Sequence, residues 1–197
     1  MRRKQMAERY EVRFSGTGGQ GVVLAGMILA EAAGLFGGKH VVQTVSYGPQ
    51  VRGGNSNAEV VISQEEIDHP RPLGLDLLVP FTQQGCDEGA KLLKPRGVVL
   101  VDPELVSQMP EGWVASIPLK KTALEATGKA QMANVVSLGA VVVLCPHVDL
   151  EAMVAAVKER APRGLEEVFL KALEAGYKLA DSMREKISFR EAPSPED

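Results

Sequence analysis

The feature that most constrains this chain is a glycine-rich hexapeptide, Gly-Thr-Gly-Gly-Gln-Gly, at residues 16–21. Apolar and polar residues alternate over positions 10–14 before it, which predicts a strand, and the long apolar run 22–36 after it predicts a buried helix. Four glycines in six positions let the backbone turn tightly and approach another molecule. Because the helix directs its free N–H groups and the positive end of its dipole into this turn, the turn favours an anion such as a phosphate.

The charge and the cysteine pattern of the chain exclude several function classes. The formal net charge of the 197 residues is -3, which gives no indication of a nucleic-acid partner. The longest apolar run, residues 138–145, is too short to cross a bilayer, so no membrane partner is expected. Cys86 and Cys145 are isolated, which argues against a zinc site, an iron–sulfur site or a disulfide framework and fits a reducing cytoplasm.

The order of the elements predicts the fold class. Strand-like runs alternate with helical patterns over the first 120 residues, and the remainder is mostly helical. The predicted strands are 10–14, 40–46, 58–63, 75–81, 98–101 and 114–117, and helices are predicted at 22–36, 84–93, 132–144 and from 150 to 180, with a turn at 94–97. This pattern predicts a three-layer α/β domain with a mixed, mostly parallel central sheet, flanking helices and a Rossmann-like start. We expect one domain over residues 1–187 and a disordered tail over 188–197.

The glycine-rich turn invites comparison with a dinucleotide site. Gly16, Gly18 and Gly21 match the G-x-G-x-x-G fingerprint, but such a site also needs a carboxylate at the end of the second strand. That strand, residues 40–46, has none, and the next acid after Glu31 is Glu59. A free-standing nicotinamide-dependent dehydrogenase is therefore disfavoured, and a P-loop is excluded because no Gly-Lys-Ser/Thr follows. The competing interpretation is that Gly16 and Gly18 only permit close packing of the helix on the strand.

A second glycine-rich segment, residues 48–54, follows the second predicted strand. If the first two strands are parallel neighbours, both loops face one crevice at the carboxyl edge of the sheet. Arg52 would be the fixed cation there, since its planar fork suits phosphate or carboxylate, while Gln20 is placed to donate a hydrogen bond in the turn. The alternative is an exposed loop with a solvated arginine. The predicted binding residues are Gly18, Gly19, Gln20, Gly21, Arg52, Gly53, Gly54 and Asn55.

The remaining chemistry-bearing residues give weaker indications. The three histidines, at 40, 69 and 147, are scattered and have no ligand spacing, and no histidine is paired in sequence with Cys86. Asp102, at a strand end, is either catalytic or the cap of the turn at Pro103, and the cap is favoured. No catalytic residue and no metal ligand is assigned.

Five segments together resemble the gamma subunit of 2-oxoacid:ferredoxin oxidoreductases. They are residues 16–21, 43–54, 58–63, 134–140 and 171–177, and the resemblance runs in register from about residue 10 to 181. The Ser-Tyr-Gly-Pro form of the second loop, residues 46–49, is most similar to the 2-oxoglutarate branch, while pyruvate, branched-chain and indolepyruvate relatives stay open. Phe169 departs from the family, many members of which have Asn there.

The resemblance implies an accessory subunit. Enzymes of this family oxidatively decarboxylate a 2-oxoacid, transfer the acyl group to coenzyme A and pass two electrons to ferredoxin. The resemblance places thiamine diphosphate, with magnesium, between the alpha and beta subunits, and iron–sulfur clusters in the beta or a delta subunit. We expect the gamma chain to bind no cofactor alone. In related single-chain enzymes the equivalent domain lies near the entry of coenzyme A. The glycine-rich edge of this chain would help bind coenzyme A, with Gln20 and Arg52 as the contacting side chains. The alternative is that this edge forms only a subunit interface. In isolation the chain could also form a homodimer.

Overall fold

The computed structural model describes residues 9–48 and 54–190, which form one seven-stranded sheet and six α-helices. The strands are β1 (Arg9–Thr17), β2 (His40–Tyr47), β3 (Asn55–Ser63), β4 (Leu75–Pro80), β5 (Leu93–Val101), β6 (Gly112–Ser116) and β7 (Ser188–Arg190). The helices are α1 (Val22–Glu31), α2 (Gln83–Ala90), α3 (Leu119–Thr127), α4 (Ala133–Leu144), α5 (Leu150–Arg160) and α6 (Glu166–Ser182). A π-helical segment, Ala32–Phe36, continues α1.

The strand order in the sheet is β2-β3-β1-β4-β5-β6-β7. Pairings β1–β4, β4–β5 and β5–β6 are parallel, whereas β1–β3, β2–β3 and β6–β7 are antiparallel. The expected mixed α/β sheet is confirmed, although its described pairings divide evenly between the two kinds. For β2 and β3 the reason is the short connection 48–54, which suits an antiparallel pair, because a parallel crossover needs about a dozen residues or more.

Two hydrophobic cores, one on each face of the sheet, produce the three layers. On one face, alternate strand residues such as Val12, Phe14 and Val60 pack with helices α1, α3, α4, α5 and α6. On the other face, a smaller cluster that includes Leu78, Val99 and Cys86 packs under α2. The alternation follows from the period of two in a strand, which sends successive side chains to opposite faces.

Several predicted element bounds are wrong, and one helix has no predicted counterpart. The predicted helix 84–93 ends at Ala90, and β5 already begins at Leu93, so the predicted turn 94–97 lies inside a strand that has a register shift against β4. Helix α3 has no predicted counterpart: it buries only Leu119 and Ala123, and the cap of its first turn comes from Asp102, which is distant in sequence. The strands β1, β2 and β3 occur where they are predicted and extend further.

The C-terminal boundary also differs from the prediction. Residues 188–190 fall in the predicted disordered tail, yet they form β7, which pairs antiparallel with β6 in the register Trp113↔Phe189. Backbone pairing with an available sheet edge is a signal that composition does not carry. The rest of the predicted tail lies outside the described residues.

Candidate functional site at the carboxyl edge of the sheet

The glycine-rich turn is built by left-handed backbone that connects β1 to α1. Gly19 has φ 90° and Gly21 has φ 72°, conformations that only glycine adopts readily. Gly21 is the N-cap of α1, and neither a capping side-chain hydrogen bond nor an acidic residue occurs in the first turn of this helix. The positive end of the α1 dipole therefore has no internal anion from its own first turn.

The side chain of Gln20 closes the turn from inside. Its Oε1 accepts a hydrogen bond from the Thr17 N–H at 2.7 Å, and its Nε2 donates to the Phe81 carbonyl at 3.1 Å. Within the turn Gln20 accepts rather than donates, and its donor group instead reaches Phe81, which follows β4. Because both ends of the amide are paired within the protein, Gln20 holds the shape of the turn.

The glycines of the turn differ in their surroundings. A Cβ at Gly16 would lie 2.6 Å from Gln20 Oε1 and 3.0 Å from Val22 Cγ1, so Gly16 is required by packing, and it lies inside β1 rather than in the turn. A Cβ at Gly18 would meet nothing within 4 Å, and its φ is not left-handed. Packing accounts for Gly16 but not for Gly18, which lies beside open space.

Asn134, at the start of α4, contacts the glycine-rich turn, and the sequence did not predict this contact. Its Nδ2 donates to the carbonyl of Gly21 at 3.3 Å, and a Cβ at Gly21 would overlap this amide. Asn134 is 5% exposed, and its Oδ1 is buried without a hydrogen-bond partner in the described structure. The available signal was a polar amide in the first turn of a helix whose other residues, apart from Ser137, are apolar or glycine.

The second loop reaches the same edge as the first, by a route other than the predicted one. β1 and β2 are not neighbours, because β3 lies between them and pairs antiparallel with both. Thr17 pairs with Asn55 and Tyr47 pairs with Ser56, so the turn after β1 and the segment after β2 lie at one edge. Gly54 lies next to the start of β3, whereas Arg52 and Gly53 lie outside the described residues.

Asn55 belongs to the framework beneath both loops. It is 4% exposed; its Nδ2 donates to Ser15 Oγ at 2.7 Å and its Oδ1 accepts from Thr82 Oγ1 at 3.1 Å. Ser15 Oγ donates in turn to Asn57 Oδ1 at 2.5 Å, and Thr82 Oγ1 accepts from the N–H of Gly85 as the N-cap of α2. This polar network joins the ends of β1 and β3 to the start of α2 and so fixes the base of the site.

A ribose-binding acid is absent from the described part of this edge. The strand β2 carries no carboxylate, and Glu59 on β3 is occupied: Arg13 Nε donates to its Oε1 at 2.9 Å and Thr44 Oγ1 donates to its Oε2 at 3.2 Å. The geometry therefore agrees with the sequence in disfavouring a nicotinamide dinucleotide.

The remaining polar candidates are structural. Asp102 is buried; its Oδ1 accepts from the Glu104 N–H at 2.9 Å and its Oδ2 from the Lys120 N–H at 2.7 Å, so the favoured cap is confirmed. Burial raises the pKa of the Cys86 thiol to about 11 and that of Cys145 to about 12, which leaves both protonated at neutral pH.

The described residues offer neither a metal site nor a membrane-spanning helix. No group of three or more His, Cys, Asp or Glu side chains there is placed to hold a metal ion. Among the helices of residues 9–48 and 54–190, none is long and apolar enough to cross a membrane.

Fold and site together define a class: a mixed α/β domain whose carboxyl edge carries an anion-friendly glycine turn, with no catalytic constellation among its described residues. The family model of pyruvate ferredoxin/flavodoxin oxidoreductase matches residues 11–179. The chain therefore belongs to this oxidoreductase family, and the resemblance found in the sequence is confirmed.

Individual relatives agree with this assignment. The chain is 44% identical over 187 residues to the 2-oxoglutarate synthase subunit KorC of Methanocaldococcus jannaschii, a match that covers 93% of this chain and 100% of the relative. The crystal structure of the keto/oxoacid ferredoxin oxidoreductase gamma subunit from Geobacter sulfurreducens superposes with a TM-score of 0.79 at 42% identity, over 88% of this chain and 99% of that one.

A larger enzyme contains the same fold. The 2-oxoglutarate:ferredoxin oxidoreductase of Magnetococcus marinus, solved with 2-oxoglutarate, coenzyme A and succinyl-CoA bound, matches with a TM-score of 0.78 at 21% identity. The match covers 94% of this chain but 33% of that one, so this domain recurs as one part of a longer polypeptide.

Proposed function

We propose that this chain is the gamma-type subunit of a cytoplasmic 2-oxoglutarate:ferredoxin oxidoreductase. The complex would oxidatively decarboxylate 2-oxoglutarate, form its acyl-CoA and pass two electrons to ferredoxin. The observation that carries the proposal is the 44% identity to a 2-oxoglutarate synthase subunit over the whole length of that relative. A second such subunit, from Methanothermobacter thermautotrophicus, is 41% identical over 179 residues.

Other 2-oxoacids are the alternative substrates. The pyruvate/ketoisovalerate oxidoreductases common subunit gamma of Thermococcus kodakarensis is also similar, at 32% identity over 177 residues. Its lower identity over a similar length favours 2-oxoglutarate. Since the pocket that selects the 2-oxoacid would lie mostly in other subunits, the substrate is a property of the assembled complex.

The proposed division of labour leaves the redox chemistry to the partners. Thiamine diphosphate with magnesium and the iron–sulfur clusters would reside in the alpha, beta and delta subunits, with ferredoxin as electron acceptor. The donor chemistry of this chain fits that division, because Cys86 and Cys145 are buried in separate cores on opposite faces of the sheet and carry raised thiol pKa values. This chain would contribute assembly and the coenzyme A side of the active site.

The carboxyl edge is the proposed coenzyme A side. The backbone at Gly18, Gly19 and Gly21 would receive a phosphate, and Arg52, with Gly53 and Gly54, would supply the opposite wall. Support comes from the open space at Gly18 and Gly19 and from the α1 dipole without an anion in its first turn. Gln20 and Asn55 would act by holding the edge in shape, because their amides are already paired.

Gly18→Ala in the assembled complex tests this role. A methyl group there disturbs nothing inside the chain, so it would act only on a molecule that approaches the turn. We expect the KM for coenzyme A to rise about 5-fold or more, roughly 1 kcal/mol of binding, with little change in kcat at saturating coenzyme A. Arg52→Ala should act in the same direction. Steady-state kinetics with purified complex measure both.

Gly34→Ala is the matched control, since its Cβ would make only ordinary contact with Val41 at 3.5 Å, away from the turn. It should leave the KM unchanged. An unaltered KM in Gly18→Ala and Arg52→Ala would remove coenzyme A from this edge. Weaker co-purification of both variants with the alpha and beta chains would then support an edge that serves only as a subunit interface.

A further inference from the structure

Among the described strands, β2 leaves its outer side unpaired and forms an edge of the sheet. β2 is the last strand at its end of the sheet, and within residues 9–48 and 54–190 no other strand pairs with its outer side. It is eight residues long and contains no Asp, Glu, Lys, Arg or Pro. Proteins normally block such an edge by charge, proline, a bulge or a very short strand. An open, neutral edge of this length therefore points to a strand that binds there.

The hydrogen-bonding pattern of β2 shows which backbone groups are available. The Gly48 N–H donates to the Asn55 carbonyl at 2.8 Å, in the same register that pairs Tyr47 with Ser56. Because backbone groups in an antiparallel ladder alternate in direction, the even-numbered residues of β2 bond to β3. The N–H and C=O groups of residues 41, 43, 45 and 47 thus point outward, as an open ladder for an extended strand.

Apolar side chains concentrate beside this ladder. Of the eight large hydrophobic side chains exposed in the described residues, four lie on β2 or on the adjoining π-helical segment. They are Val45, Tyr47, Leu35 and Phe36, and Leu35 and Tyr47 are 75% and 73% exposed. Gly34 of the π-helical segment lies against Val41, so the segment and the strand form one continuous surface, which we term the β2 edge.

We propose that a second copy of this chain binds the β2 edge by antiparallel strand pairing, with Thr44 facing Thr44 of the second copy. This proposal goes beyond the proposed function and uses the side of the sheet rather than its carboxyl end. A two-fold axis normal to the sheet pairs only residues that point to the same face. With Thr44 on the axis, Gln43 lies opposite Val45, and Val41 lies opposite Tyr47.

This register makes the β2 edge complementary to itself. The exposed Tyr47 ring of each copy would cover Val41 of the other, beside its Leu35 and Phe36, and aromatic–β-branched and Thr–Thr pairs are favourable across strands. All the outward backbone groups at odd positions would face outward groups of the second copy. Because β2 carries no Asp, Glu, Lys or Arg, the pairing brings no like charges of the two strands together.

A cysteine on the axis tests the register directly. In the proposed pair the Cβ atoms of the two Thr44 residues lie about 4.5–5.5 Å apart and the Cα atoms about 4.5 Å apart, within reach of a disulfide. Thr44→Cys should give a disulfide-linked dimer on mild oxidation, seen on a non-reducing gel. Val42→Cys is the control. Residue 42 of one copy would lie roughly 13 Å along the strands from residue 42 of the other, so the two cysteines should not link. The native cysteines are buried and do not compete.

The solution mass of the full-length wild-type chain tests the dimer without any variant. Light scattering at micromolar concentration should give twice the chain mass of 21.1 kDa. Val45→Lys should give a monomer, because a charge then faces the second copy. Leu124→Lys, at another exposed apolar position on α3, should remain a dimer. A monomeric wild-type chain, or a Thr44→Cys variant that links no better than Val42→Cys, would overturn the proposal.

Discussion

Individual glycines of one short segment serve different physical purposes. Gly16 is enclosed by Gln20, Val22 and Phe81, Gly21 needs a left-handed backbone against Asn134, and Gly18 borders open space. The sequence could indicate that the segment turns and that an anion would suit it. It could not separate these roles, because each depends on which side chains fold back onto the turn. Gln20 does so locally, and Asn134 does so from a helix 113 residues away.

Gly16→Ala and Gly18→Ala should differ in their effects on the free energy of unfolding. A Cβ at residue 16 would lie 2.6 Å from Gln20 Oε1 and 3.2 Å from Phe81, so Gly16→Ala should lose about 1–3 kcal/mol. A methyl group at residue 18 fits without contact, so Gly18→Ala should be neutral, or stabilising by about 0.4–1 kcal/mol, because it restricts the unfolded chain. Urea unfolding of the isolated chain measures both. Equal losses in the two variants would contradict the packing assigned to Gly16.

The buried thiols make stability fall at alkaline pH. Burial raises the pKa of Cys86 from 9.0 to about 11, so between these values the unfolded state loses its proton first and stability decreases as pH rises. Cys145, raised to about 12, acts in the same direction. Each thiol should contribute a slope of up to about 1.4 kcal/mol per pH unit. Unfolding midpoints at pH 8, 9.5 and 10.5 should fall less steeply in Cys86→Ala, and identical slopes would count against this assignment.

At the scale of elements, helix starts that are fixed by residues nearby in sequence differ from starts that are fixed by distant residues. Asp149 caps α5 by accepting from the Ala152 N–H at 2.8 Å, and α1 follows a glycine turn, so these starts are visible in the sequence. The start of α3 is set by Asp102, whose carboxylate bonds to the Lys120 N–H from the end of β5. That cap is distant in sequence, which is the physical reason why α3 was not predicted.

Asp102→Ala should therefore destabilise the fold without affecting catalysis. The substitution removes an acceptor of two backbone hydrogen bonds from a fully buried site and should cost about 2–3 kcal/mol. Asp102→Asn, which keeps one of the two acceptors, should lose less. Chemical unfolding gives the free energies, and kcat of the assembled complex supplies the control. A collapse of kcat at unchanged complex stability would instead assign Asp102 to the chemistry.

At the scale of the whole molecule, the sheet topology decides what the two glycine-rich segments can do together. The alternation of strands and helices predicted an α/β sheet, and a shared carboxyl edge was expected if the first two strands were parallel neighbours. It did not predict that β3 would insert between β1 and β2, because strand order depends on long-range pairing such as Tyr10↔Ile62 and Val41↔Ile62. The edge is shared nevertheless, since two successive antiparallel pairings return β2 to the direction of β1.

The polar network beneath this edge could not be predicted from the sequence either. The contact between Ser15 and Asn55 joins two strands, and Thr82 joins them to α2, so the network exists only once the sheet has formed. Asn55 was predicted as a binding residue because it adds a short hydrogen-bonding side chain beside the second glycine-rich segment. Its two paired ends make it a support for the site instead, and a like argument holds for Gln20.

The most direct test of the proposed function is reconstitution of the complex with the alpha, beta and delta chains of the same organism. The complex should reduce ferredoxin when supplied with both 2-oxoglutarate and coenzyme A, and omission of this chain should abolish or greatly lower the rate. Pyruvate and branched-chain 2-oxoacids serve as competing substrates. A complex that contains this chain and turns over pyruvate or a branched-chain 2-oxoacid with higher kcat/KM than 2-oxoglutarate would contradict the account.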